Sequence, residues 1–240
     1  MKRTLAIILC VACVIAILNI ETSTRQAVNY EIRVITMPLY LKALDFVDRH
    51  YNYYNLVRRI TEGVRGEEGQ VLKMFEWTHK NLKPQPDGMP VIDDHIMSIV
   101  IRGYGVPEQF QDVFTTLCEY RGFPAFFARV NSGDRRVSYA LSFVKIGSTW
   151  RVFDAYNGKY FRTEAGEIAG IEDFDRDPAV LAELGRYNDE YDGVPCKEFY
   201  ENLGLVTPAC ALRVSRQMPL RRAFLEIRKA IGLEAATVGR

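Results

Sequence analysis

The segment from Gly105 to Ala125 constrains the fold more than any other part of the chain, because it fixes both ends of one helix. Proline suits the first helical position, where its missing N–H would have no partner, so Pro107 predicts a helix start. Gly122 and Pro124 predict the end of that helix. Its apolar residues recur at the three- and four-residue steps of a single buried face: Phe110, Val113, Phe114, Leu117 and Cys118. We therefore predict a core helix over 107–121.

Two helices are predicted before this core helix. The first runs from Pro38 to about Gly63, and the second from Glu67 to Leu82, where a turn-rich segment follows. The inward positions of the first are predicted to be Leu41, Leu44, Val47, Tyr51, Tyr54, Val57 and Ile60. Those of the second are predicted to be Val71, Met74, Phe75 and Thr78.

Two strands are predicted after the core helix, from Val137 to Val144 and from Trp150 to Tyr156. Beyond Tyr160 the chain becomes polar and rich in turn residues. Near the carboxyl end, residues from Pro219 to Ile231 have the spacing of an amphipathic helix.

The motif around the core helix resembles that of transglutaminase-like proteins. The residues that carry the resemblance are Gly105 to Asp112, Gly122-Phe123-Pro124-Ala125, Phe75-Glu76-Trp77 with Asn81, Tyr139-Ala140, and Trp150 to Asp154. The resemblance spans roughly Val71 to Gly158. It implies an α+β fold with a papain-like, transglutaminase-like core, in which a central helix packs on a small antiparallel sheet. Helical extensions are expected at both ends of this core.

The resemblance also implies three catalytic positions, of which two are altered. The family places a cysteine nucleophile fifteen residues before the closing glycine, and counting back from Gly122 reaches Pro107. The family histidine corresponds to Tyr139, and the family acid corresponds to Asp154. The three histidines all precede the core helix, so no alignment of the later strands supplies an imidazole: they are His50, His79 and His95. The Cys-His-Asp mechanism, which needs all three groups, is therefore not expected.

Other residues offer alternative sites. Cys118 could act as a moved nucleophile, although its place on the buried face favours a structural role. Asp93, Asp94 and His95 could bind a divalent cation, although an aspartate acting as an N-cap for 95–101 explains them as well. We expect the carboxylate of Asp154 to accept a hydrogen bond from the Tyr139 hydroxyl or from a turn amide near 157–158.

The amino terminus resembles a membrane-targeting segment. Lys2 and Arg3 precede an uncharged apolar run over residues 5–20, which as a helix would be about 24 Å long. Because this is slightly shorter than the hydrocarbon core of a bilayer, an uncleaved anchor, a cleaved signal and a buried helix all stay open. The basic start favours a protein whose body lies outside the cytoplasm, on the periplasmic or extracellular side, whether it stays anchored by one pass or is cleaved and secreted.

Charge and cysteine content limit the partners. The formal net charge of +1 and the lack of a basic run argue against nucleic-acid binding. Cys196 and Cys210 could form a disulfide in an oxidising compartment, or stay as two free thiols. We predict no cofactor and no bound metal.

These observations predict four regions: an anchor or signal over 1–26, a helical lead-in over 27–66, a transglutaminase-like core over 67–162 and a polar, helical extension over 163–240. The expected function is an extracytoplasmic, membrane-anchored binding or scaffold module, without catalysis, that would bind a peptide, glycan or protein in the former cleft. The alternative is a cysteine-type or cation-dependent hydrolase or acyltransferase with relocated residues.

Overall fold

The computed structural model describes residues 2–28, 31–131, 137–186, 190–191, 193–200, 203, 224 and 228. The chain divides into two compact units, which are described separately. The first contains Met1–Asn52, Val91–Asp94 and Pro219–Arg240, and the second contains Tyr53–Pro90 and His95–Met218.

The described part of the chain contains helices and short strands in alternation. The helices are α1 (Lys2–Leu18), α2 (Leu39–Ile60), α3 (Glu67–Asn81), α4 (Ile96–Arg102), α5 (Pro107–Arg121), a 3₁₀ helix (Ile171–Asp175), α6 (Pro178–Leu184) and α7 (Cys196–Tyr200). The strands are β1 (Glu21–Val28), β2 (Glu31–Pro38), β3 (Lys83–Pro84), β4 (Tyr104–Gly105), β5 (Ala125–Asn131), β6 (Ser138–Ile146), β7 (Thr149–Phe153), β8 (Glu190–Tyr191) and β9 (Val194–Pro195).

The first unit begins with α1 and an antiparallel hairpin of β1 and β2, whose register pairs Glu21 with Pro38. The apolar side chains of α1 are exposed along its whole length. Among the described residues, no helix combines the length and the apolar character that crossing a membrane requires.

Helix α2 has the predicted extent, but the predicted inward face is wrong over its first four turns. Leu44, Val47 and Tyr51 are each about 60% exposed, and Leu41 and Tyr54 are exposed as well. The buried side chains are Phe46 and Tyr53, which were not predicted to face inward, and Val57 and Ile60, which were. This helix carries apolar residues on two sides, and spacing alone does not determine which side meets a neighbour.

The core helix α5 begins and ends where the sequence predicts. Gly122 follows it in the left-handed conformation, with φ of 103°, which a residue without a Cβ adopts at low cost. All five predicted inward side chains are buried, from Phe110 to Cys118. The predicted inner face of α3 is buried too, and its Phe75 ring lies 5.6 Å from Phe114 and 5.5 Å from Phe153.

Strands β5, β6 and β7 form an antiparallel sheet in that order, with Val130 opposite Tyr139 and Ser142 opposite Phe153. Helices α3 and α5 share one hydrophobic cluster with the sheet. A second cluster joins other strand residues to α6, α7 and the 3₁₀ helix, and there the Phe126 ring stacks on Phe143 at 4.9 Å. The predicted α+β fold, with a central helix on a small antiparallel sheet, is confirmed.

Two predictions near the carboxyl end fall largely outside the described residues. Cys196 is buried, but its possible disulfide partner Cys210 is not described. The helix over 219–231 is described only at Phe224 and Arg228, both of which are helical.

Candidate functional site

The entry to α5 is held by a glutamine in its first turn. The side-chain oxygen of Gln109 accepts hydrogen bonds from the amide of Val106 at 3.2 Å and from Arg102 Nη2 at 2.8 Å. A Cβ at position 105 would lie 2.7 Å from the same oxygen, so a larger residue at Gly105 would displace the Gln109 side chain. This arrangement places Pro107 as the first residue of the helix, partly exposed.

Strands β6 and β7 place the other two positions that the resemblance singles out. Tyr139 is the second residue of β6 and is half-buried. Asp154 directly follows β7 and opens a turn, in which its backbone exchanges hydrogen bonds with Lys159 at 2.8 and 3.0 Å. Its side chain is fully buried.

The Asp154 carboxylate is the centre of a polar network. Its Oδ1 accepts hydrogen bonds from Gln111 Nε2 at 3.2 Å and from the Asn157 amide at 3.1 Å. Its Oδ2 accepts from Asn157 Nδ2 at 2.8 Å. The turn amide that the sequence suggested is therefore one of its donors. These donors are the partners that a buried acid needs in place of water.

Gln111 connects this network to the rest of the core. Its Oε1 accepts from Ser142 Oγ at 2.6 Å and from the Ala155 amide at 3.2 Å, while its Nε2 reaches Asp154. One fully buried amide thus joins α5, β6 and the turn after β7. Sequence reasoning missed Gln111, Ser142 and the side chain of Asn157. The available signal was that Gln111 lies one helical turn after Pro107 and therefore on the same side of the helix.

Tyr139 is linked to Asp154 through an intermediate side chain. Asn157 Nδ2 donates to the Tyr139 hydroxyl at 2.9 Å and also to Asp154 Oδ2. Burial, followed by the negative charge of Asp154, raises the pKa of Tyr139 above its ordinary value. The phenol is therefore neutral at physiological pH and does not serve as a base.

A histidine approaches this turn from α3. His79 Nδ1 lies 3.3 Å from the carbonyl oxygen of Ala155, a distance at which it can donate a hydrogen bond. At Gly158, with φ of +67°, a Cβ would lie 2.7 Å from His79 Nε2, so ring and turn fit only with glycine there. The sequence shows that His79 precedes the core helix, but not that its ring reaches this turn.

Cys118 lies away from this turn. It is eleven residues beyond Pro107, about 16 Å along the helix axis. Its side chain is fully buried in the hydrophobic cluster of α3 and α5. Burial is the main cause that raises the pKa of the Cys118 thiol, and Glu119 adds to it. A neutral, inaccessible thiol is a poor nucleophile.

The acidic cluster before α4 does not cap that helix as expected. Residue His95 is its N-cap, because Ile99 N donates to His95 O at 3.0 Å, and no side chain makes a cap hydrogen bond there. Asp93 and Asp94 therefore precede the cap position. Among the described residues, no group of three His, Cys, Asp or Glu side chains is arranged to hold a metal ion.

We expect Gln111→Ala to lower the free energy of unfolding by about 2–4 kcal/mol, because Ser142, Ala155 and Asp154 each lose a buried partner. Gln85→Ala, which removes an amide that reaches only the Met89 carbonyl near the surface, should change it by less than about 0.5 kcal/mol. Urea unfolding of both variants and the parent tests this, and equal effects would contradict the central role of Gln111.

Helix α5 is followed by an antiparallel sheet, as predicted; the sequence predicted β6 and β7 of this sheet but not β5. No protein-family model matches the chain, and no curated protein matches it.

Three solved structures match part of the chain. A provisionally named cysteine protease from Cytophaga hutchinsonii matches with a TM-score of 0.39, 17% identity and coverage of 45% of this chain and 37% of that one. A provisionally named protease from Parabacteroides distasonis matches with a TM-score of 0.37 and 13% identity, and the match covers 55% of this chain and 35% of that one. A structure described as a TGase matches with a TM-score of 0.36 and 12% identity, and the match covers 55% of this chain and 43% of that one. This chain thus spans less than half the length of these proteins, and the likeness carries no argument about what it binds or catalyses.

Proposed function

We propose that this chain is a non-catalytic transglutaminase-like domain, which acts as a binding or scaffold module for a peptide, glycan or protein. One observation carries the proposal. Proline occupies the first position of α5, and the acid that remains, Asp154, is bonded to Gln111 and Asn157.

The chemistry of acyl transfer explains why this observation matters. The reaction needs an activated nucleophile, a base beside it and a group that orients the base. Pro107 has no side-chain atom that can attack a carbonyl or accept a proton. Tyr139 is a neutral phenol, and the carboxylate of Asp154 has hydrogen-bond partners on both of its oxygens.

A hydrolase with relocated residues finds less support. Cys118 would have to act from within the hydrophobic core, where burial raises the pKa of its thiol. A cation-dependent enzyme would need several ligands in a defined geometry around Asp93, Asp94 and His95.

We also propose that residues 5–20 attach the chain to a membrane and that its body lies outside the cytoplasm. Lys2 and Arg3 precede this uncharged run, and the apolar side chains of α1 face outward, among them Leu5 at 69% exposure. Exposed apolar surface of this extent favours a lipid or protein environment over water.

For the activity, we predict no turnover. Amine incorporation into a glutamine-containing protein and hydrolysis of a mixed peptide pool should both equal the enzyme-free rate. Cys118→Ala should give the same result. An active cysteine protease and an active transglutaminase serve as positive controls. Turnover above the blank that Cys118→Ala abolishes would contradict the proposal and favour a moved nucleophile.

For the attachment, the full-length chain should stay in the membrane pellet after alkaline carbonate extraction. The double variant Ile8→Lys, Ile15→Lys should be released, because a charged side chain in the hydrocarbon core costs about 2.5–3.5 kcal/mol. The variant Ile8→Leu, Ile15→Leu is the matched control and should remain bound. An intact chain in the soluble fraction would oppose attachment, whereas a soluble chain lacking its amino terminus would indicate a cleaved signal.

A further inference from the structure

Two hollows adjoin at the carboxyl ends of α2 and α5, within the second unit. One has a volume of about 240 Å³ and the other about 480 Å³. Both are lined by Arg121, the last residue of α5. Because α5 has 15 residues, these hollows lie about 20 Å from Pro107 along the helix. This is therefore a different surface from the turn around Asp154.

The smaller hollow combines cations with aromatic rings. Arg58 and Arg121 line it together with Tyr54 and Tyr120, and Glu62 is the one acidic residue in its lining. Within the described part of the chain, neither guanidinium pairs with a carboxylate. Guanidinium groups bind carboxylates in a bidentate geometry, which gives this hollow a preference for an acidic group.

The larger hollow continues the same chemistry. Lys145 adds a further positive charge, while Phe123 and Pro124 supply apolar surface. The acidic residue here, Glu67, already accepts a hydrogen bond from the Gly147 amide at 2.9 Å. A ligand that extends over both hollows therefore meets Arg58, Arg121 and Lys145 together with aromatic and apolar side chains.

The neutral polar side chains of the lining distinguish a peptide from a sugar. Thr61 Oγ1 donates to the Val57 carbonyl at 2.9 Å, and Gln70 Nε2 donates to the Val64 carbonyl at 3.1 Å. The Thr61 hydroxyl proton and one of the two Gln70 amide protons are thus used within the chain, which leaves a sugar fewer donors at this surface. Acidic side chains alternating with apolar ones fit the lining better.

We propose that these two hollows bind a short acidic peptide segment of a partner protein, with carboxylates at Arg58 and Arg121. The inference deepens the proposed function, because it names the ligand class of the binding module and places it away from the former catalytic positions. This inference rests on the proposed function in one respect: it expects the chain to bind a ligand at this surface without turning it over.

Fluorescence anisotropy of the full chain tests the proposal. The probe is a fluorescein-labelled hexapeptide of sequence Glu-Phe-Glu-Glu-Phe-Glu, and the comparison probe has lysine in place of glutamate. The acidic probe should bind, and its affinity should fall as the salt concentration rises, because salt screens the attraction between charges. The basic probe should not bind. Arg58→Glu and Arg121→Glu should each weaken binding at least about tenfold, equivalent to about 1.4 kcal/mol.

Arg59→Glu is the matched control, because Arg59 is exposed on the same helix and does not line either hollow. It changes the net charge equally and should leave the affinity within about twofold. No binding of the acidic probe, an equal loss with Arg59→Glu, or tighter binding of a uronic-acid hexasaccharide would each overturn the proposal. None of these results would restore turnover, so the failure of this inference is distinguishable from the failure of the proposed function.

Discussion

The buried amide of Gln111 is the interaction on which the arrangement around Asp154 depends. Its nitrogen donates a hydrogen bond to Asp154. Its oxygen accepts hydrogen bonds from Ser142 and from the Ala155 amide. Hydrogen bonds in a core are electrostatically stronger than in water, and leaving one partner unsatisfied there is correspondingly costly. One side chain thus links α5, β6 and the turn after β7.

This network gives Asp154 a structural role. In a Cys-His-acid site the carboxylate orients an imidazole, but here its donors are Gln111 and Asn157. Asn157 extends the network to the Tyr139 hydroxyl. A carboxylate that stabilises the turn does not require a nucleophile beside it. The proline at position 107 is consistent with this role. Binding at the other end of α5 would then be independent of this network.

Local sequence signals predicted much of the fold, but they could not predict contacts between residues that are far apart in the sequence. Pro107 and Gly122 act on their own backbone, so both ends of α5 could be predicted. Gln111 and Asp154 are 43 positions apart, and His79 and Ala155 are 76 apart, so no spacing rule connects them. The exposed side of α2 was assigned wrongly for a related reason: Leu44 and Phe46 are both apolar, and only the folded chain selects the buried one.

The reactivity of Cys118 tests the central claim, the absence of a working nucleophile, most directly. Alkylation of Cys118 in the full chain can be followed by mass spectrometry as the pH rises from about 5 to about 9, with the urea-unfolded chain as the control in which every thiol is accessible. The account predicts that Cys118 stays unmodified until the protein is unfolded, because its thiol is buried and neutral. Modification of Cys118 in the folded protein below about pH 7 would mean an accessible thiolate and would contradict the account.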